Sequence, residues 1–343
     1  MSMRAFFPEI TMKIIKPSYF DNFCCTAGAC PDSCCKEWDV LVDGDKAALY
    51  RSLPGDLGNR LRQVLKDEDG EVYMTIENRR CPMWRDDGLC RIQAELGEEA
   101  LCKTCREFPR LTHDYGDFIE YGLELSCPEA ARLILSTPDP VFVTQEVPGG
   151  EKPEYNTADM EVLLRTREIA RSILANSAYA VTERLALLIL YAYHAQTELN
   201  GAAISKHFDA DSLLEHAKTY ARPGDSSDIL RFFSNLEILT PDWAARLEAP
   251  VPGQWDTRFL TLAQYFVDRY WLQSISDYDL VGRAKFAVIS CIMVHLLGGS
   301  FVETAQLYSK EIENSIENVE TILDAAYDEP IFADVRLFGV LLL

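Results

Sequence analysis

The chain has 343 residues, with 33 basic against 54 acidic side chains and a net charge of −21, which argues against recognition of nucleic-acid phosphate and suits a basic partner. Hydrophobic residues at 48% and charged residues at 25% are ordinary globular values that exclude long disorder, and the length allows two packed regions. Cysteine is the outlier, because ten of the eleven cysteines fall within the first 127 residues.

Taken in chain order, the N-terminal MSMRAFFPEITMKIIKPSYF lacks a continuous apolar stretch of signal-peptide length and a small-residue cleavage pattern, so a cytoplasmic location is expected. Up to residue 135 the sequence reads as short segments broken by turns (PSYF, AGACPD, LVDGDK, DEDGEV, RDDGLC). Such a stretch seldom closes a large core unaided, and metal crosslinks would compensate. Residues 1–135 are therefore expected to form a cysteine-rich metal-binding domain. Residues 136–156 (STPDPVFVTQEVPGGEKPEYN), with prolines and a Gly-Gly pair, are expected to be a linker.

Residues 157–343 are expected to form a helical domain. Thr157-Ala158-Asp159 offers capping side chains before Met160, Leu163, Leu164 and Leu174, which recur at helical spacing. Val181 to Ala195 is apolar nearly all round, and Leu260 to Leu272 and Phe286 to Leu297 continue that character. The last of these, twelve residues long, is short for a bilayer core of roughly 30 Å and is expected to be a buried helix. One helix from Val302 to Tyr327 is expected to bury Tyr308, Ile312, Ile316, Val319 and Leu323 and to leave Lys310, Glu311 and Glu317 off that stripe. The fold class is thus mainly α, a loop-rich cysteine-ligated metal domain followed by a helical one.

CCTAGACPDSCC supplies five thiols in twelve residues, and CPMWRDDGLC with LCKTC supplies four more. Clustered thiols in a reducing compartment point to metal ligation more than to disulfides. Thiolates suit iron–sulfur clusters and zinc alike. Only Cys102-x-x-Cys105 has the pair spacing of a zinc ribbon, and His113 is the sole histidine of the region. Irregular spacings with the adjacent pair Cys34-Cys35 fit a cluster assembled from separate loops better, with zinc, and then disulfides or free thiols, as the alternatives.

With these residues in view, the chain resembles the flagellin lysine-N-methylase family and the related zinc- or iron-chelating cysteine-cluster domains. The resemblance rests on MKIIKPSYFDNF (Met12 to Phe23), AGACPDSCCKEWDVLVD (Ala27 to Asp43), CPMWRDDGLCRIQAELGEEALCKTCREFPR (Cys81 to Arg110) and LELSCPEAARLIL (Leu123 to Leu135). It continues in LAQYFVDRYWLQ, GRAKFAVIS and LYSKEIENSIENVE, and so runs over nearly the whole chain from Met12. It implies a protein-lysine N-methyltransferase that uses S-adenosylmethionine on flagellin and carries a cysteine-bound iron–sulfur cluster, of the 4Fe-4S type; the acidic charge and the short apolar runs separately lead to the expectation of no nucleic-acid and no membrane partner. The family's cysteines match Cys25, Cys30, Cys34, Cys35, Cys81, Cys90, Cys102, Cys105 and Cys127. Cys24 falls outside the pattern as an extra thiol.

Methyl transfer to an amine needs a neutral lysine nitrogen in line with the methyl carbon and the sulfonium, so the site must depress a pKa normally near 10.4. No G-x-G-x-x-G lies between a strand and a helix, so the sequence assigns no catalytic or cofactor-binding residue. Glu311 is a minor catalytic candidate; Trp38 and Asp39 are expected to pack against the metal site, and His295 to be a satisfied core histidine. The alternatives are an iron- or zinc-binding protein whose helical region docks a partner, and a redox protein built on Cys102 and Cys105.

Overall fold

The computed structural model describes residues 11–36, 39–202 and 207–343. The chain opens with β1 (Thr11–Pro17), crosses a cysteine-bearing loop, and forms β2 (Val40–Leu41), α1 (Gly44–Ser52), α2 (Gly55–Val64) and the hairpin of β3 (Leu65–Glu68) and β4 (Glu71–Met74). Two short helices, α3 (Arg91–Leu96) and α4 (Lys103–Glu107), lead to a second hairpin of β5 (Arg110–Asp114) and β6 (Phe118–Leu123), then to α5 (Pro128–Leu135) and β7 (Phe142–Pro148). Eleven helices follow among the described residues: α6 (Thr157–Ala175), α7 (Val181–Leu199), α8 (Ala210–Tyr220), α9 (Ser226–Ser234), α10 (Pro241–Glu248), α11 (Arg258–Tyr270), α12 (Ser274–Asp277), α13 (Leu280–Leu297), α14 (Phe301–Ile312), α15 (Ile316–Asp328) and α16 (Asp334–Leu342). The fold is mainly α, with two small sheets.

The larger sheet has the order β5-β6-β1-β7. β1 runs parallel to β6, with Ile14 opposite Ile119, and antiparallel to β7, with Ile14 opposite Gln145. The segment expected to be a linker therefore supplies an edge strand. Its prolines do not prevent this: Pro140 precedes the strand and Pro148 ends it, positions at which an edge strand tolerates a missing N–H.

A parallel pairing needs a long crossover, and here the crossover from β1 to β6 contains a unit with its own core. Val40, Tyr50, Leu61, Met74, Met83 and Ile92 are buried together there, with Cys81 and Cys102 among them. Tyr19, Phe23, Leu123, Leu125 and α5 instead join the large helical core. Residues 106–135, grouped with the cysteines on sequence, thus pack largely with the helices.

Helix α13 is the axis of that core. It is buried at every position but His295 and packs on α7, α11 and α15. By length and composition it is the one helix among the described residues that could cross a membrane, and 94% of it is buried inside the protein. Side-chain caps start many of the helices: Asn156 accepts from the Ala158 N–H, Asp209 from Ser212, Thr240 from Trp243 and Asp279 from Gly282. Each such cap is worth about 1 kcal/mol. The cap of α6 is Asn156, one residue before the expected trio.

The single helix expected from Val302 to Tyr327 is two. Ser315 caps α15 by accepting the Asn318 N–H, and the break leaves Ile316 76% exposed. With α14 enclosed on several sides by α5, α10, α13 and α15, Lys310 and Glu311 are buried rather than solvated.

Candidate functional site

The nine matched cysteines come from the loop after β1 (Cys25, Cys30, Cys34, Cys35), from the crossover unit (Cys81, Cys90, Cys102, Cys105) and from the start of α5 (Cys127), and all are free thiols. The thiols of Cys34 and Cys81 donate toward Cys35 and hold its pKa well below the ordinary thiol value. The Cys105 thiol acts likewise on Cys102, drawing it down to about 7. Cys90 lies within electrostatic reach of Cys35 and Cys102, and Cys127 within reach of Cys25, Cys30 and Cys34. Sulfurs of the small core and Cys127 of the large one therefore meet along the boundary between the two.

Local structure explains this convergence. Cys90, Cys102 and Cys127 are the N-cap residues of α3, α4 and α5, where first-turn N–H groups favour a thiolate. Burial is the larger influence at Cys127 and lifts its pKa to about 11, while the N–H groups of Ala130 and Glu129 oppose it. The loop of Cys30 is pressed on the loop before Cys90: a Cβ on Gly28 would lie 2.8 Å from the Asp87 carbonyl, and one on Gly88, whose φ is +80°, 3.0 Å from the Gly28 Cα. Two glycines thus permit a backbone approach that no other residue allows. The Cys81 N–H donates to the Cys35 carbonyl at 2.8 Å, and Trp84 beside it carries Arg80 over its ring at 4.1 Å.

The donor set fits a thiophilic centre by its chemistry: nine free sulfurs, two of them inclined to thiolate. A ready single-ion site is another matter, because among the described residues no three His, Cys, Asp or Glu side chains are posed to hold one metal ion. Of the two cysteines outside the set, Cys24 is exposed, and Cys291 is buried in α13 with its Sγ 3.5 Å from the Phe259 carbonyl.

Two features of this boundary escape sequence reasoning. Asp32, between Cys30 and Cys34, accepts from Lys310 Nζ at 2.8 Å, Gln306 Nε2 at 3.3 Å and Lys36 Nζ at 3.0 Å, while Gln306 also donates to the Ser126 carbonyl at 2.6 Å. Burial would raise the Asp32 pKa, but Lys310 and Lys36 prevail and hold it below the ordinary carboxylate value. The cysteine loop is in this way tied to α14. Behind it lies a buried polar centre in which Glu313 accepts from Tyr270 at 2.8 Å, from Ser309 at 2.5 Å and from Tyr265 at 3.1 Å. Arg269 donates to the Tyr265 hydroxyl at 2.7 Å and pairs with Glu313 at 3.2 Å. The Leu125 N–H also reaches Tyr265, at 3.2 Å, two residues before Cys127. Tyr265 and Arg269 share one face of α11 through their spacing of four, and Tyr270 ends the same helix, a signal legible within LAQYFVDRYWLQ. Their distant partner on α14 is not.

Glu311 is fully buried, and its Oε2 accepts the Leu239 N–H at 2.8 Å. Burial raises its pKa to about 7. Asp39 accepts the Ile76 N–H at 2.9 Å, and Trp38 lies outside the described residues. His295 stacks on Trp255 at 4.2 Å, but its Nδ1 is buried without a hydrogen-bond partner among the described residues, so it is packed rather than satisfied.

No family profile and no solved structure matches the chain. Among curated proteins it is similar to the lysine-N-methylases of Salmonella typhimurium and Salmonella choleraesuis, 32% identical over 145 residues, which is 40% of this chain and 36% of theirs. It is also similar to the flagellar biosynthetic protein FliU of Salmonella muenchen, 32% identical over 155 residues, 43% of this chain and 87% of FliU. The matched stretch spans about a third of the length of the two lysine-N-methylases, and it is narrower than the nearly full-length likeness expected from the motifs. With FliU covered over most of its length at that identity, the chain belongs to the same family as FliU, and the two lysine-N-methylases are its partial relatives.

Proposed function

We propose that the protein is a cytoplasmic S-adenosylmethionine-dependent protein-lysine N-methyltransferase acting on flagellin. The observation that carries this reading is the meeting of nine free thiols from separate segments at one boundary, in a chain of this family. Cys25, Cys30, Cys34, Cys35, Cys81, Cys90, Cys102, Cys105 and Cys127 are the proposed ligand pool of an iron–sulfur cluster, with zinc as the alternative metal. Nine sulfurs exceed the four that one [4Fe–4S] cluster uses, so some of them serve a second centre or the packing. When bound, such a group would supply crosslinks between the loops and a local charge beside Cys127.

The chain's own residues meet two needs of the transfer. The acidic surface draws in a lysine-bearing substrate and a cationic donor. The centre of Tyr265, Tyr270, Arg269 and Glu313 offers fixed oxygens beside the thiols, able to orient an amine or relay its proton.

The test is anaerobic purification with metal analysis and an optical spectrum, followed by incubation with methyl-labelled S-adenosylmethionine and flagellin. Label on flagellin lysines is the expected result. A metal-loaded protein that transfers none would replace the enzyme reading with that of a metal-binding protein with a helical docking domain.

A further inference from the structure

At the end of the larger sheet away from the thiols, a cleft of about 850 Å³ opens where the β5–β6 turn, the loop after β7 and α12 meet. The six residues of β6, at about 3.3 Å each, set it about 20 Å from Leu123. Its walls carry the rings of Tyr115, Tyr155 and Tyr278 and the carboxylates of Asp114, Glu151 and Glu154, against one amine, that of Lys152. The rings are fixed in place. Tyr115 stacks on Phe118 at 4.7 Å, and Tyr155 meets Tyr115 edge-on at 6.4 Å. The Tyr155 hydroxyl donates to Asp117 at 2.5 Å and that of Tyr278 to Asp159 at 2.6 Å, adding two carboxylates to the rim. The floor is tightly built as well, for a Cβ on Gly150, whose φ is +106°, would come within 2.8 Å of the Met12 Cβ.

The cleft continues inward. A second cavity of about 330 Å³ shares Asp114, Tyr115 and Ser276 with it and reaches His113 and Arg283, whose guanidinium is paired with Asp277 at 2.8 Å; His113 in turn borders a narrow space lined by Tyr265 and Arg269. The Nε2 of His113 is buried without a hydrogen-bond partner among the described residues. Burial, with Arg269 nearby, lowers its pKa, so the ring is neutral at pH 7 and one of its nitrogens is free to accept from an N–H. The two larger cavities thus make a trough from an acidic, aromatic mouth to His113, whose ring separates it from a space of about 30 Å³ beside Tyr265 and Arg269.

Such a lining attracts a cation through carboxylates and ring faces and repels anions. We propose that the trough binds a lysine-bearing segment of a protein, with the ammonium group held at the tyrosines and carboxylates and the inner end of the segment directed toward His113. Naming that partner as a methylation substrate rests on the function proposed above; the binding itself does not.

The experiment is calorimetric titration of the full chain, without methyl donor, using a blocked hexapeptide that carries two lysines and its norleucine counterpart. The lysine peptide should bind and the norleucine peptide should not. Glu151→Lys with Glu154→Lys, both exposed, should weaken binding about tenfold or more, and the milder Glu154→Gln less, whereas Glu317→Lys with Glu320→Lys on α15, an equal change of charge, should alter it less than about twofold. Equal weakening by both double variants, or weakening by neither, overturns the proposal. So does displacement of the peptide by S-adenosylmethionine, which would make the trough the donor's site. Binding intact in a protein that never methylates flagellin would instead leave the trough standing and remove the enzymatic reading.

Discussion

The two cores of this protein are held by different means. The large one is built around a helix buried at nearly every position, with capped neighbours and a buried bidentate pair in which Arg167 meets Glu120 at 2.8 and 2.6 Å. The small one has fourteen buried side chains among the described residues, two of them cysteines, and helices of only six and five residues near its thiols. A core that small supplies little net stability, and proteins of that size commonly add disulfides or metals. Sulfur is concentrated where apolar burial runs short, which is where the proposed metal crosslinks would add most to stability.

Removing the proposed metal crosslinks is the most direct way to break that comparison. Anaerobic chelation of the metal-loaded protein, or Cys34→Ser with Cys35→Ser, should cost the small core on the order of 10 kcal/mol of coupled binding and folding energy. Hydrogen exchange across residues 40–102 should accelerate by about a hundredfold or more, while peptides from α13 keep their protection. Loss of protection in both cores together would show that they are one cooperative unit. Next in size is Arg167→Met, which strands Glu120 uncharged-for in a site where each side chain is about 5% exposed. Urea unfolding of the large core should register a loss of about 3–5 kcal/mol, largely recovered when Glu120→Leu is added. A loss below about 1 kcal/mol would mean that this pair does not hold the sheet to α6.

The contrast between the cores also explains what was legible in the sequence. The helices Val181 to Ala195 and Phe286 to Leu297 declare themselves because burial on all sides leaves an unbroken apolar run, and the cysteine loop because five thiols in twelve residues are hard to explain otherwise. The membership of α5 and Tyr19 in the large core was not legible, since it depends on β1 pairing with β6 a hundred residues later. Glu311 and Lys310 looked solvated because helical periodicity assumes one buried face, whereas α14 is enclosed on several sides. Asp32 reads as a turn residue in CPDSCC. Its partners on α14 lie more than 270 positions away, and local spacing carries no information at that range.

Buried Glu311 offers a sharper test within the large core. Its ordinary pKa near 4.5 rises to about 7 because burial penalises the carboxylate more than the Thr240 hydroxyl, the Leu239 and Thr240 N–H groups and Lys310 favour it. The folded state therefore binds this proton more tightly than the unfolded one. Its contribution to stability is complete below about pH 4.5 and is lost as the pH rises through about 7, a change of about 3 kcal/mol. Glu311→Gln removes the titration, so relative to the parent the variant should gain stability between pH 5 and pH 8 in denaturant melts. Parallel pH profiles for the two proteins would place the carboxyl in a more hydrated setting than the geometry gives it.

The smallest effect on global stability is expected at the tie between the cores, and it is also the most specific. Lys310→Met removes one of three donors to Asp32, and because Lys36 keeps its contact at 3.0 Å the unfolding free energy should fall by only about 1 kcal/mol. The consequence should be local. Lys310 and Gln306 reach Asp32 from the large core, and Gln306 also fastens Ser126 beside Cys127, so together they set where Cys30 and Cys34 stand relative to Cys127. Loosening that tie should let the cysteine loop swing outward, and alkylation of Cys30 and Cys34 in the metal-free protein should quicken severalfold while Cys291, buried in α13, stays unreactive. Asp32→Asn gives up the charge for both lysines at once and should produce the larger change, whereas Lys310→Arg keeps the cation and should produce the smaller. If all three variants alkylate at the parent's rate, the loop is held by the small core alone, and the boundary between the cores is a contact with no part in positioning the sulfurs.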